Sequence, residues 1–140
     1  MLDPGWRRLV HSPEEMVALG REMSSYLKDG AVLALQGGLG AGKTHLTKGV
    51  VAGLECLSAV TSPTFTLVHE YSGGVLGVYH FDFYRMESED EVLRIGWDEY
   101  LAEPGVIIVE WPDKFPELIP AEAIWLRIDM DGESRLLSRI

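Results

Sequence analysis

Apolar residues recur along this chain at two periods, and the points where the period changes mark the boundaries of its predicted elements. Met16, Leu19, Met23 and Leu27 share one helical face. That helix opens at Ser12-Pro13-Glu14-Glu15, where a serine N-cap, a proline at N1 and a glutamate at N3 agree, and Gly30 is its expected stop. Residues 6–10 before it read as an opening strand, and the unbroken apolar run at 31–35 reads as a buried one. Leu46, Val50 and Leu54 return to helical spacing. Residues 66–71 and 75–84 are extended and are joined by a hairpin turn at Ser72-Gly73-Gly74. A second capping box, Ser88-Glu89-Asp90-Glu91, starts a short helix through Val92 and Leu93 as far as Ile95; Gly96 interrupts it before a further turn at 98–101. Residues 106–109, Val-Ile-Ile-Val, have the all-apolar character of a central parallel strand. Pro112, Pro116 and Pro120 keep 112–120 irregular, and residues 123–130 and 135–140 form two strands joined at Asp131-Gly132. This order predicts an α/β three-layer domain, with a mixed sheet whose parallel centre is flanked by antiparallel strands.

At 140 residues the chain is expected to be one domain, 1–140, with a sizeable core and little room for a second module. Twelve Lys and Arg against 22 Asp and Glu leave a net charge of −10, which argues against a nucleic-acid groove built by this chain alone. Phosphate backbones are held by clustered basic residues. The acidity serves solubility, or docking on a basic partner. Cys56 is the sole cysteine, which rules out an internal disulfide; nothing beside it activates a thiolate, so it reads as a small buried residue. Residues 1–8 contain no apolar leader and no stretch reaches membrane-spanning length, so a soluble cytoplasmic protein is expected.

The most specific chemistry lies at Gly37-Gly38-Leu39-Gly40-Ala41-Gly42-Lys43-Thr44, a complete G-x-x-x-x-G-K-[ST] loop between a predicted strand and a predicted helix. Glycines let successive backbone N–H groups turn inward around a polyphosphate. The lysine reaches the outer phosphates, the threonine hydroxyl ligates magnesium, and the helix N-terminus adds its dipole. His45, first after the motif, lines the site through its backbone. Hydrolysis needs more: a carboxylate that holds magnesium directly or through water, and a group that positions the attacking water. Two acids stand at strand ends, Asp82 in Tyr79-His80-Phe81-Asp82-Phe83-Tyr84-Arg85 and Glu110 directly after the 106–109 run. Thr64, in the polar loop Thr61-Ser62-Pro63-Thr64-Phe65, is the candidate switch residue that senses the γ-phosphate. His45, His69 and His80 are scattered single histidines and read as surface or packing residues. No Asn-Lys-x-Asp segment is present to read guanine, and Arg85 stands where a glycine would follow Asp82, which favours ATP over GTP.

Four segments in this order, the loop at 37–44, Ser62-Pro63-Thr64-Phe65-Thr66-Leu67-Val68, the Asp82 segment 79–85 and Val109-Glu110-Trp111-Pro112, resemble the TsaE (YjeE-like) family. Those are small ATPases of tRNA threonylcarbamoyladenosine biosynthesis. The resemblance implies that Thr44 and Glu110 are magnesium-site residues, that Asp82 is the Walker-B-type acid supporting the metal, that 62–66 is the switch loop and that Trp111 sits beside the nucleotide. It also implies TsaD and TsaB as partners, with tRNA reached only through the complex. TsaD then transfers the threonylcarbamoyl group, and ATP hydrolysis to ADP supports turnover. Two departures are modest: Gly38 replaces a usual Asp and His45 a usual Thr, neither a fixed position of the loop. The C-terminal hairpin is weakly matched, and no function is carried onto it. The expected function is a magnesium-dependent ATPase, slow alone and stimulated by partners. Its rivals are a nucleotide-dependent scaffold with little hydrolysis, and a small-molecule kinase, which would want an arginine-bearing lid.

Overall fold

The computed structural model describes residues 1–61 and 68–140, and of 58–61 the backbone only. Its elements run β1 (Arg7–Val10), α1 (Pro13–Ser24), β2 (Val32–Gly37), α2 (Lys43–Gly53), β3 (Ser58–Thr61), β4 (Val68–Ser72), β5 (Val78–Asp82), α3 (Glu89–Arg94), α4 (Trp97–Ala102), β6 (Val106–Glu110), β7 (Ile124–Asp131) and β8 (Ser134–Arg139). The strands form one sheet in the order β1-β8-β7-β2-β6-β5-β4-β3. β7, β2, β6 and β5 are parallel neighbours. β8 and β1 extend the sheet antiparallel on one side, and β4 and β3 do so on the other. The expected parallel centre with antiparallel flanks is the observed architecture, and both expected hairpins, β4–β5 and β7–β8, are present.

Period-two alternation sends each central strand's side chains into two separate cores. Leu33, Leu35 and Ile108 join Met16, Leu19 and Met23 of α1 and Leu46 and Val50 of α2. Val32, Ala34, Ile107 and Val109 join Phe81, Phe83, Val92, Trp97 and Phe115 on the opposite face. Helices on both faces, with the sheet between them, make the three layers. In the second core Phe81 and Phe83 meet the Trp97 ring edge-on, at 4.9 and 5.4 Å between centroids. Trp97 is fixed in turn by its indole N–H donating to the Leu118 carbonyl at 3.1 Å. These two phenylalanines flank Asp82, so the aromatic core holds the end of β5 in place.

Both helix starts are capped as expected. Ser12 Oγ accepts from Glu15 N at 3.1 Å, and Ser88 Oγ from Glu91 N at 3.2 Å. In each case the glutamate reaches one residue further back than a strict capping box, to the backbone N–H of His11 and of Glu87.

Four expectations need correction. α1 ends at Ser24 rather than running to Gly30, because Asp29 and Gly30 are drawn to the loop before β6: Gly105 N donates to Asp29 Oδ1 at 2.7 Å, and Gly30 N donates to Gly105 O at 2.8 Å. The extended run at 75–84 shortens to Val78–Asp82, because Val75 N turns back to the Leu54 carbonyl and Asp82 caps a 3₁₀ turn over Phe83–Arg85. Residues 112–120 contain two 3₁₀ turns, Pro112–Lys114 and Pro116–Leu118, since a proline at the first position gives up no hydrogen bond there. β3 was not foreseen at all; among the described residues it pairs only with β4, at the sheet edge.

Candidate functional site

β2 lies between β6 and β7, so the chain leaving Gly37 emerges at the carboxyl ends of three parallel strands. The following loop closes tightly, with Ala41 N donating to Gly38 O at 3.2 Å. Gly42 then sits at φ 102°, a left-handed conformation that L-residues resist, and α2 begins at Lys43 with no side-chain cap. A Cβ on Gly42 would also lie 2.9 Å from Met16 Cε. The first N–H groups of α2 therefore face the cleft without intrahelical partners, the arrangement that suits an anion.

Lys43 is almost fully buried, 5% exposed, and folds back over its own loop. Its Nζ donates to Gly37 O at 2.6 Å and lies 4.0 Å from the centre of the Trp111 ring. Burial holds its ammonium below its ordinary pKa, against the opposing pull of the Glu110, Asp82 and Asp113 carboxylates. This is a charge waiting for a stronger partner than a carbonyl and a ring face. Trp111 is held for that contact by strained backbone, at φ 58° and ψ 47°. The proline after it disfavours the right-handed helical region, and a left-handed L-residue costs roughly 1–2 kcal/mol. Its N–H donates to Leu35 O at 3.3 Å, and its ring lies 5.0 Å from that of Tyr84.

The two strand-end acids are neighbours in register, Asp82 on β5 opposite Glu110 on β6. Asp82 Oδ1 accepts from Tyr84 N at 3.1 Å, and Oδ2 lies 3.6 Å from Arg85 Nε. Glu110 is 9% exposed, and His80 Nε2 donates to its Oε2 at 2.6 Å. Burial first, and the Glu110 charge second, push the nearby Tyr71 phenol up.

Leu39, Gly40, Ala41, Gly42, Lys43, Thr44, His45, Asp82, Glu110 and Trp111 line one open cleft of about 590 Å³, inside the ~300–1,000 Å³ usual for small-molecule sites. Gly37 and Gly38 lead into it from β2. An adjoining cavity of about 450 Å³ shares Thr44, Asp82, Arg85 and Glu110 and continues along α2 past Thr47 and Lys48 to Cys56, His69, Tyr71 and His80. Cys56 Sγ donates to the Leu76 carbonyl at 3.4 Å, and burial raises its pKa, in keeping with a packing role. Thr64 and the rest of 62–67 lie outside the described residues.

Two features escaped the sequence. His80, read as one of three scattered histidines, contacts Glu110; the signal was present, since i and i+2 on a strand share a face and His80 stands two before Asp82. The C-terminal hairpin also lines the cleft through Glu133 and Arg135. No local pattern announces that, because it depends on β7 pairing with β2.

A family model described as threonylcarbamoyl adenosine biosynthesis protein TsaE matches residues 10–138. The tRNA threonylcarbamoyladenosine biosynthesis protein TsaE of Bacillus subtilis is 45% identical over 128 residues, covering 91% of this chain and 78% of that protein. Its namesake from Treponema pallidum is 36% identical over 132 residues, covering 93% and 97%. Among solved structures, the crystal structure of Bacillus subtilis YdiB aligns with a TM-score of 0.78 at 36% identity, over 96% of this chain and 83% of that one.

Proposed function

The chain belongs to the TsaE family, whose role is in tRNA threonylcarbamoyladenosine biosynthesis, and from that premise we propose that it binds ATP with magnesium at the 37–44 loop and hydrolyses it in support of that modification. The observation that carries the reading is the convergence of Lys43, Thr44, Asp82 and Glu110 on one cleft, where a left-handed glycine opens a helix at the end of a central parallel strand. The unpartnered N–H groups of α2 receive the phosphates, and Lys43 exchanges Gly37 O for a phosphate oxygen.

The oxygen donors fit a hard cation. Thr44 Oγ1, Glu110 and Asp82 would hold magnesium, directly or through water, and two carboxylates and a hydroxyl are the small protein share that magnesium takes when phosphates supply the rest. When bound, the ion neutralises charge on the β- and γ-phosphate oxygens. Glu110 orients water at the outer phosphate, with His80 fixing its second oxygen, while Trp111 covers Lys43 and limits water there. Thr64 is the switch residue of this scheme.

The rate alone is low, because most of phosphoryl-transfer catalysis is positioning, and a donor supplied by a partner is worth ~10³–10⁵. The partners of this reading are TsaB and TsaD, and the place is the cytoplasm. With both partners present, Glu110→Ala is expected to lower ATP turnover by ~10²-fold or more while leaving nucleotide bound. Lys43→Ala is expected to weaken ATP binding about 10- to 100-fold in calorimetry, the scale of a charge-assisted hydrogen bond. Wild-type turnover in the first variant removes the catalytic role of Glu110; unchanged binding in the second removes the phosphate role of the loop.

A further inference from the structure

Four side chains border both the cleft and the adjoining cavity: Thr44, Asp82, Arg85 and Glu110. Three of them are the oxygen donors of the magnesium reading, so the shared boundary is where an outer phosphate would stand. The fourth, Arg85, is the basic side chain common to the two hollows among the described residues. Lys43 borders the cleft alone, and Lys48 the cavity alone.

The backbone that carries Arg85 is anchored on both sides. Phe83 and Met86 are fully buried, and Asp82 caps the 3₁₀ turn between them. Lys114 Nζ donates to Tyr84 O at 3.1 Å and to Met86 O, so one ammonium holds the carbonyls before and after Arg85. The side chain is different. It is 59% exposed, and its Nε lies 3.6 Å from Asp82 Oδ2. That is longer than the ~2.7–3.2 Å of an N–H···O bond, and an exposed ion pair of this kind is weak and screened by solvent. A planar cation on a fixed mount therefore stands beside the acids with an acceptor that holds it loosely. With magnesium on Asp82 and Glu110, those carboxylates attract a guanidinium less, while the oxygens of an outer phosphate match its fork of donors.

We propose that Arg85 reads the third phosphate: its guanidinium exchanges Asp82 for oxygens of the outer phosphate, so that the site tells a nucleoside triphosphate from the diphosphate product. The inference rests on nucleotide binding at the 37–44 loop and deepens that reading. It divides the work between two cations. Lys43, within the loop, serves tri- and diphosphate alike, whereas Arg85, on the side of the acids, serves only the phosphate that hydrolysis removes.

Calorimetry with two probes, ADP and the non-hydrolysable β,γ-imido analogue of ATP, each with magnesium, separates the two roles. Arg85→Ala is expected to weaken the triphosphate analogue about 10- to 100-fold, the scale of charge-assisted hydrogen bonds, and to leave ADP within about two-fold. Retained ADP binding also reports an intact fold. The same selective loss is expected when Arg85→Ala is made in an Asp82→Asn background, where the ion pair no longer exists. Equal effects of Arg85→Ala on both probes, or none on either, overturn the assignment. So does a loss that vanishes in the Asp82→Asn background, which would mean that Arg85 acts only by holding Asp82. Lys43→Ala is expected to weaken both probes. If it binds both as the wild type does, nucleotide binding at the loop fails; if it weakens both while Arg85→Ala keeps the triphosphate analogue, only the role of Arg85 does.

Discussion

His80 directs its ring N–H to one oxygen of Glu110, a carboxylate that lines the cleft. A carboxylate at the end of a strand swings about its side-chain torsions; a ring N–H at 2.6 Å removes most of that freedom. Groups that hold an active carboxylate or ligand from behind change activity ~10- to 100-fold when removed. His80→Phe keeps a flat ring and loses the donor, so it is expected to lower kcat by about that factor with both partners present. KM for ATP is expected to stay within about two-fold, the pattern of an interaction used in the transition state. His80→Gln, which restores an N–H donor, is expected to recover part of the loss, whereas a change in KM alone or equal behaviour of both variants means that the ring only packs. The phosphate loop was legible because Gly37 and Gly42, fixed positions of its pattern, have backbone reasons to be glycine and Lys43 has a charge reason. Glu110 was legible as the acid ending an apolar run. His80 was missed because histidines were weighed singly, although alternation along β5 sets His80 and Asp82 on one face, opposite Phe81 and Phe83. Trp111 entered only through family resemblance, since a strained φ before a proline leaves no mark in composition.

α1 and α2 approach so closely that two glycines meet between them. A Cβ on Gly49 would lie 2.1 Å from Val17 O and 2.8 Å from Gly20 Cα, and one on Gly20 would lie 2.4 Å from Leu46 O. Backbone atoms cannot rotate away, so any side chain there separates the helices. Gly49→Ala gains up to about 1 kcal/mol in helix propensity but loses this crossing, and overpacking of a fitted core typically costs about 1–3 kcal/mol. A lower urea midpoint is expected, together with weaker ATP binding, because α1 carries Pro13 and Met16 and α2 carries Lys43 and Thr44 to the same cleft. An unchanged midpoint means the helices do not cross at these glycines. The helices themselves were legible from caps and apolar spacing, and the central strands from their unbroken apolar runs. The close crossing was not, because Gly20 and Gly49 read locally as mere helix weakeners. β3 escaped for a different reason: four residues on a sheet edge, Ser58–Thr61, carry too short an alternation to stand out. The early end of α1 depends on Gly105, distant in sequence, which no local signal could supply.

Across the whole molecule the acidic excess is distributed unevenly among the layers. α3 opens with Glu89, Asp90 and Glu91, and α4 carries Asp98 and Glu99 in its first turn, so the layer opposite α1 and α2 presents a dense negative surface. With a net charge of −10, a polyanion approaching this chain meets repulsion from most directions. The basic residues placed at the cleft are already engaged. Lys43 lies under Trp111, and Arg135 is bonded to loop and hairpin carbonyls. Binding of tRNA through counterion release needs exposed Lys and Arg that track the phosphate backbone, and its signature is affinity falling steeply with salt. The chain alone is therefore expected to show no saturable tRNA binding in fluorescence anisotropy at physiological salt, weaker than the ~10⁻⁴–10⁻⁶ M typical of non-specific binders. Adding TsaB and TsaD is expected to produce binding whose salt slope is unchanged by charge-reversing substitutions at Glu89 or Asp98, since the phosphate contacts would belong to the partners. Micromolar tRNA binding by this chain alone would mean that it carries a basic track of its own, and the division of labour, with nucleotide here and nucleic acid elsewhere, would have to be abandoned.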